Sequence, residues 1–121
     1  MSDLMIFHCT FDAREPERAT LPFVAANVAA TAGLRAVVLC TIDGVWLGTV
    51  GGVDTVAAPG LPPLRQLFDE FVANGGEVWL CGACTTPRGI TEDRVAPGAR
   101  IVGAARVIEE IAGGARTAAF S

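Results

Sequence analysis

Four short apolar runs, separated by stretches of helical periodicity, limit what this chain can fold into. They are Leu4-Met5-Ile6-Phe7-His8-Cys9, Arg35-Ala36-Val37-Val38-Leu39-Cys40-Thr41, Glu77-Val78-Trp79-Leu80 and Ala99-Arg100-Ile101-Val102. Runs this short, without polar alternation, suit strands buried on both faces. Between the first two, Leu21, Val24, Ala25, Val28, Ala29 and Ala32 recur at the spacing of one helix face, closed by Gly33. That helix starts either at Pro16, with a kink at Pro22, or nearer Thr20. Leu64, Leu67, Phe68, Phe71 and Val72 mark a second helix, ended by Asn74-Gly75-Gly76. Ala104, Val107, Ile108 and Ile111 mark a last one, ended by Gly113-Gly114, and residues 115–120 suit a fifth, edge strand. Strand, helix and strand in this order call for parallel pairing with right-handed crossovers. The prediction is a single domain over 1–121, a three-layer α/β/α sandwich on a five-stranded, mostly parallel sheet. Two segments stay open or weakly marked. Residues 45–58 hold a short helix around Trp46 or a loop over the sheet edge, and Thr91 caps a helical start at Thr91-Glu92-Asp93-Arg94.

Charge and hydropathy exclude several classes of function. A net charge of −4, with no run of Lys or Arg, argues against a nucleic-acid partner. Apolar stretches are broken well before the roughly 18 residues that a membrane span needs. With Asp3 and no basic region near its start, the chain is not expected to carry an ordinary signal peptide. A cytoplasmic location follows, where four cysteines are expected reduced, metal-bound or catalytic and not in structural disulfides. At 51% hydrophobic and 18% charged, the chain is apolar enough to suggest self-association.

The chemistry concentrates in Cys81-Gly82-Ala83-Cys84-Thr85-Thr86-Pro87-Arg88-Gly89-Ile90, directly after the third strand. This places sulfur at the carboxyl edge of a parallel sheet, where ligands of open α/β folds collect. Arg88 supplies a fixed positive charge that favours a thiolate. Cys9 and Cys40 also end strands, so all four cysteines are candidates for one crevice; the plainer reading makes Cys9 and Cys40 small buried hydrophobes. The C-x-x-C pair Cys81/Cys84 suits a redox dithiol, half a zinc site, or a nucleophile with a spare neighbour. Zinc would need His8 with Cys9 or Cys40, at a spacing that matches no common pattern, so no metal is assigned. A thioredoxin-like pair follows the first strand and starts a long helix, whereas here Pro87-Arg88-Gly89 interrupts any long helix. Gly48 to Gly52 lacks the spacing of a phosphate loop, and no cofactor is assigned. Asp43 and Trp46 border the same edge and read more simply as a turn aspartate and a core tryptophan.

The residues Cys81-Gly82-Ala83-Cys84, with Arg88-Gly89-Ile90, resemble the turn of the DsrE/DsrF-like proteins, which include the Tus sulfur-relay subunits. Pro16-Glu17-Arg18-Ala19, Asp43-Gly44-Val45 and Gly75-Gly76 extend the likeness over the whole chain. The resemblance implies a five-stranded parallel α/β/α sandwich, assembled as homotrimers or hexamers. It also implies a persulfide on the cysteine seven residues before the Arg of the Arg-Gly pair, a position that Cys81 fills. Cys84 matches the second cysteine of a subset of the family. The expected function is a sulfurtransferase-like sulfur carrier. Cys81 holds the sulfur between donor and acceptor proteins or small molecules, Arg88 stabilises the anion, and Cys84 resolves or protects it. The alternatives are a Cys81–Cys84 dithiol redox protein and a non-catalytic oligomeric binding module.

Overall fold

The computed structural model describes residues 1–120; Ser121, the end of the expected domain, lies outside the described residues. The strands are β1 (Met5–Cys9), β2 (Ala36–Cys40), β3 (Glu77–Cys81), β4 (Ala99–Val102) and β5 (Arg116–Ala119). They form one sheet in the order β4-β3-β2-β1-β5, with every pairing parallel. The expected α/β/α architecture is therefore present, and its parallel character is complete.

α1 (Pro16–Thr31) and α2 (Leu64–Ala73) cover one face, over a core that includes Phe7, Val38, Leu80, Phe23, Phe68 and Phe71. Asn27 ties the two helices, its Nδ2 donating to the carbonyls of Phe23 and Leu67 at 2.9 Å each. α1 starts at Pro16 and carries Pro22 inside it. Its buried face is rotated from the expected one, keeping Ala29 in the core and Val24 and Ala25 against it. Ala19, Phe23, Ala26 and Ala30 turn inward, whereas Leu21 and Val28 are exposed. The physical reason lies in side-chain size: the helix is apolar nearly all round, and the face bearing Phe23 buries the largest ring while three alanines let the helix approach the sheet closely.

The opposite face is covered differently. Ile6, Val37, Leu39, Trp79 and Val102 form a smaller core there, with Val107 and Ala115 against it. Only α4 (Ala104–Ala112) crosses it, and α4 buries none of its residues fully. Strands about 4.8 Å apart make the passage from β4 to β5 about 19 Å wide, and a helix of this length rises about 13.5 Å. One short helix spanning the sheet leaves part of that face open. Trp79 is sealed instead by Arg100 and Arg106, whose guanidinium carbons lie 5.6 and 5.3 Å from its ring centre. The carboxyl end of β3 has no such cover.

The loops differ in detail from expectation. The segment around Trp46 is a 3-10 helix over Ile42–Gly48, and Glu92–Arg94 is likewise 3-10. Thr91 precedes the latter, but its hydroxyl donates to the Asp93 carboxylate and caps no backbone N–H. Ile42, a β-branched residue, sits in the left-handed region with φ of 56°. Such backbone persists only where the surroundings fix it. Here hydrogen bonds flank it: the Thr41 N–H donates to the Cys9 carbonyl and the Gly44 N–H to the Thr41 carbonyl, each at 3.0 Å.

Candidate functional site

Side chains of a strand alternate between faces, so register decides which thiols meet. Cys9 and Cys40 are opposed across β1 and β2 and both face the α1/α2 core. They are fully buried and free. The Cys9 thiol points at the carbonyls of Phe11 and Ala19, at 3.7 and 3.8 Å. Its hydrogen bond with Cys40, together with burial, pushes the Cys40 thiol well above the ordinary range. These two are buried hydrophobes, as the plainer reading held.

Cys81 stands apart from them. Leu80 is paired with Cys40, so Cys81 lies one residue further and on the other face. The single crevice for which all four cysteines were candidates is thus absent; the sheet divides them. The same division separates His8 from Cys9 and Cys40, the set that zinc would have needed.

Cys81 is half-buried and lines an open cavity of about 220 Å³ on the α4 face. His8 and Thr41 share that lining with Leu39, Val102 and the first turns of α4. His8 Nε2 and Thr41 Oγ1 are 3.0 Å apart. Sequence reasoning met His8 only as a zinc ligand at an unmatched spacing, and missed Thr41. The signal that finds both is register: Cys40 faces Leu80, which sets Thr41 beside Cys81 on the common face.

The turn after Cys81 is a single α turn, α3 (Gly82–Thr85), then a 3-10 turn over Thr86–Arg88 ended by Gly89 at φ of 68°. The hydroxyls of Thr85 and Thr86 both donate to the Gly82 carbonyl, at 3.2 and 3.0 Å, which tightens it. Cys84 is half-buried and packs against the α1/α2 core, and its carbonyl accepts from Arg88 Nη1 at 3.0 Å. Arg88 reaches across to Asp43, with Nη2 3.0 Å and Nε 3.3 Å from Oδ1. Arg14 donates to the other oxygen of Asp43 at 2.8 Å. Arg88 therefore clamps the cysteine turn to the loop after β2, and Cys81 is not among its hydrogen-bonding partners. Asp43 is more than a turn aspartate, while Trp46 packs on the core as expected.

Among the described residues, no group of three or more His, Cys, Asp or Glu is arranged to hold a metal ion. No described helix is long and apolar enough to cross a membrane.

The sequence profile of the DsrE/DsrF-like family matches residues 5–120, which takes in every strand and helix above. An uncharacterised protein of Methanocaldococcus jannaschii, MJ0760, is 31% identical over 88 residues. That match covers 73% of this chain and 32% of the relative, so the chain spans about a third of that protein's length. Among solved structures, the ychN protein of E. coli superposes with a TM-score of 0.76 at 20% identity, covering 99% of this chain and 100% of its own. MTH1491 of Methanobacterium thermoautotrophicum, described as of unknown function, gives 0.68 at 17% identity over 97% and 98%. Both likenesses attest the fold.

Proposed function

The chain belongs to the DsrE/DsrF-like family, which is associated with sulfur relay, and on that premise we propose that it is a sulfur carrier with Cys81 as the acceptor. The observation that supports this reading is the asymmetry among the strand-end thiols. Cys9 and Cys40 are sealed in the core, and Cys81 alone opens on a cavity. As thiolate, Cys81 bonds the sulfane sulfur of a donor, the donor's S–S bond breaks, and the donor leaves as its own thiolate. An acceptor thiolate then takes the outer sulfur from the persulfide and returns Cys81 to its starting state. No side chain caps the amino end of α4, whose Gly103 and Ala104 border the cavity. Its free amides favour an anionic sulfur by about 0.3–1 kcal/mol. Arg88 holds the turn that presents Cys81. Cys84 is the resolving thiol: when the short α3 turn unwinds it bonds the Cys81 sulfur, the outer sulfur leaves as hydrosulfide, and a thiol reductant of the cytoplasm returns the Cys81–Cys84 disulfide to the dithiol.

Treating reduced protein with a small hydropersulfide and weighing it intact tests the reading. The expected result is the mass of one added sulfur atom, absent in Cys81→Ser and longer-lived in Cys84→Ser. A Cys81–Cys84 disulfide in the unsubstituted chain with no sulfur adduct in Cys84→Ser favours the dithiol alternative; an unmodified mass in both chains, or an adduct indifferent to Cys81→Ser, removes the proposal.

The carrier works in a reducing cytoplasm as an assembly of identical subunits, a trimer or a hexamer. Leu21, Val28 and Leu34 on the α1 side remain exposed and supply an apolar surface for this contact. Light scattering is expected to give three or six times the 12.5 kDa chain mass; a monomer at micromolar concentration ends the assembly reading.

A further inference from the structure

We propose that the cavity beside Cys81 seats a small sulfane-sulfur donor, R–S–S–H, whose R group is an uncharged alkyl chain, in preference to one whose R group carries a negative charge. The inference rests on the carrier reading and names its substrate class. It follows from what the walls contain. Leu39, Val102, Val107 and Ile108 supply hydrocarbon, and no Lys, Arg, Asp or Glu lines the cavity. The two polar side chains besides Cys81, His8 and Thr41, are bonded to each other through Nε2 and Oγ1. Arg88, the nearest cation of the cysteine turn, is held by Asp43 and does not line the cavity. An anionic R group would thus lose its hydration with no cationic side chain to receive it, and would compete with the Cys81 sulfur for the α4 amides, whereas an alkyl group gains burial. The volume, about 220 Å³, lies below the range usual for drug-sized ligands and fits a molecule of few heavy atoms.

The step balances without an added oxidant. Cys81 Sγ bonds the terminal sulfur of R–S–S–H, the donor's S–S bond breaks, and the alkylthiolate leaves and takes a proton from water. One sulfane sulfur changes carrier, and no net oxidation occurs.

Alkylthiolating probes separate the cavity from the sulfur chemistry, because they need only a reachable thiol. In a Cys84→Ser chain, butyl methanethiosulfonate and its sulfonatoethyl counterpart are timed on Cys81 by intact mass. Each rate is divided by that of the same reagent with glutathione. The butyl reagent is expected to be favoured about tenfold, since part of its chain is buried during reaction. Gly103 lines the cavity and has open space where a Cβ would stand, so Gly103→Val is a first filling variant. Ala104→Leu is a second filling at the exposed first residue of α4. Either filling is expected to bring the ratio near one while the sulfonatoethyl rate holds. A ratio near one in the unfilled chain overturns the proposal, as does a preference that survives both fillings. Rates for both reagents that fall as protein concentration rises also overturn it, because a second copy then occupies the cavity. If the butyl preference stands but a hydropersulfide leaves no sulfur on Cys81, the carrier reading fails and the apolar cavity remains. If the persulfide forms without any butyl preference, only the substrate class fails.

Discussion

Gly44→Ala is expected to destabilise the protein by about 3 kcal/mol or more, near the upper end of what overpacking costs. A Cβ at position 44 would run into the carbonyl oxygen of Cys9 and stand 3.0 Å from its carbonyl carbon and 3.3 Å from that of Thr10. All three obstacles are backbone, so no rotamer change relieves them. Neither partner is free to retreat. The Cys9 carbonyl accepts the N–H of Thr41 at 3.0 Å, closing the β1–β2 ladder, and the N–H of Gly44 bonds the Thr41 carbonyl at 3.0 Å. A methyl group must therefore either break the end of that ladder or lift the 3-10 segment that carries Asp43. Lifting it also loosens the Arg88 clamp on the cysteine turn. A loss of this size is a large share of the roughly 5–15 kcal/mol that holds a small domain folded. Urea titration should show a lower midpoint with an unchanged slope. Gly103→Ala, with open space and ordinary φ, serves as the control and is expected to shift stability by under about 1 kcal/mol. A Gly44→Ala midpoint indistinguishable from that control would show that the loop yields freely.

Where the sequence speaks about burial on both sides of a backbone, it speaks clearly. Runs such as Val37-Val38-Leu39-Cys40 have no polar face, so a central parallel strand is the economical reading, and β2 is buried at every position. Residues 64–72 have one apolar stripe, and Leu64, Leu67, Phe68 and Phe71 are the residues that α2 buries. The site was legible as far as the cysteine turn, since a strand followed by Cys-Gly-x-Cys and an Arg-Gly stop can be placed without neighbours. Its companions were not. Which face Cys81 occupies relative to Cys9, Cys40 and His8 depends on inter-strand register, and a slip of one residue exchanges the faces. Nothing within β1, β2 or β3 alone encodes that offset; it is set by the lengths and packing of the connections between them. The Asp43–Arg88 pair spans 45 positions and joins two loops whose meeting likewise depends on register.

α1 shows the same limit in one helix and gives a second large effect to measure. Both of its faces read as apolar, so periodicity alone offers two cores, one centred on Phe23 and one including Val28. The structure buries Phe23 completely and leaves Val28 68% exposed. Phe23 stacks on Phe68 at 5.8 Å between centroids and meets Phe71 edge-on at 6.3 Å, so it is the pivot between α1, α2 and the sheet. Phe23→Ala removes that ring and leaves a cavity whose walls, Ala19 and Ala26 on the same helix, are too short to fill it. The expected cost is about 3–5 kcal/mol. Val28→Ala gives up little buried surface in the single chain and gains helix propensity, so it is expected to change monomer stability by under about 0.5 kcal/mol. Chemical denaturation of the two variants at one protein concentration decides between the faces. Equal losses, or a larger loss at Val28, would mean that the helix is rotated from the orientation described. If Val28→Ala lowers stability only as protein concentration rises into the range where the chain associates, the exposed stripe is covered by another subunit. The cost is then a property of the assembly, because an interface stabilises the folded chain by mass action.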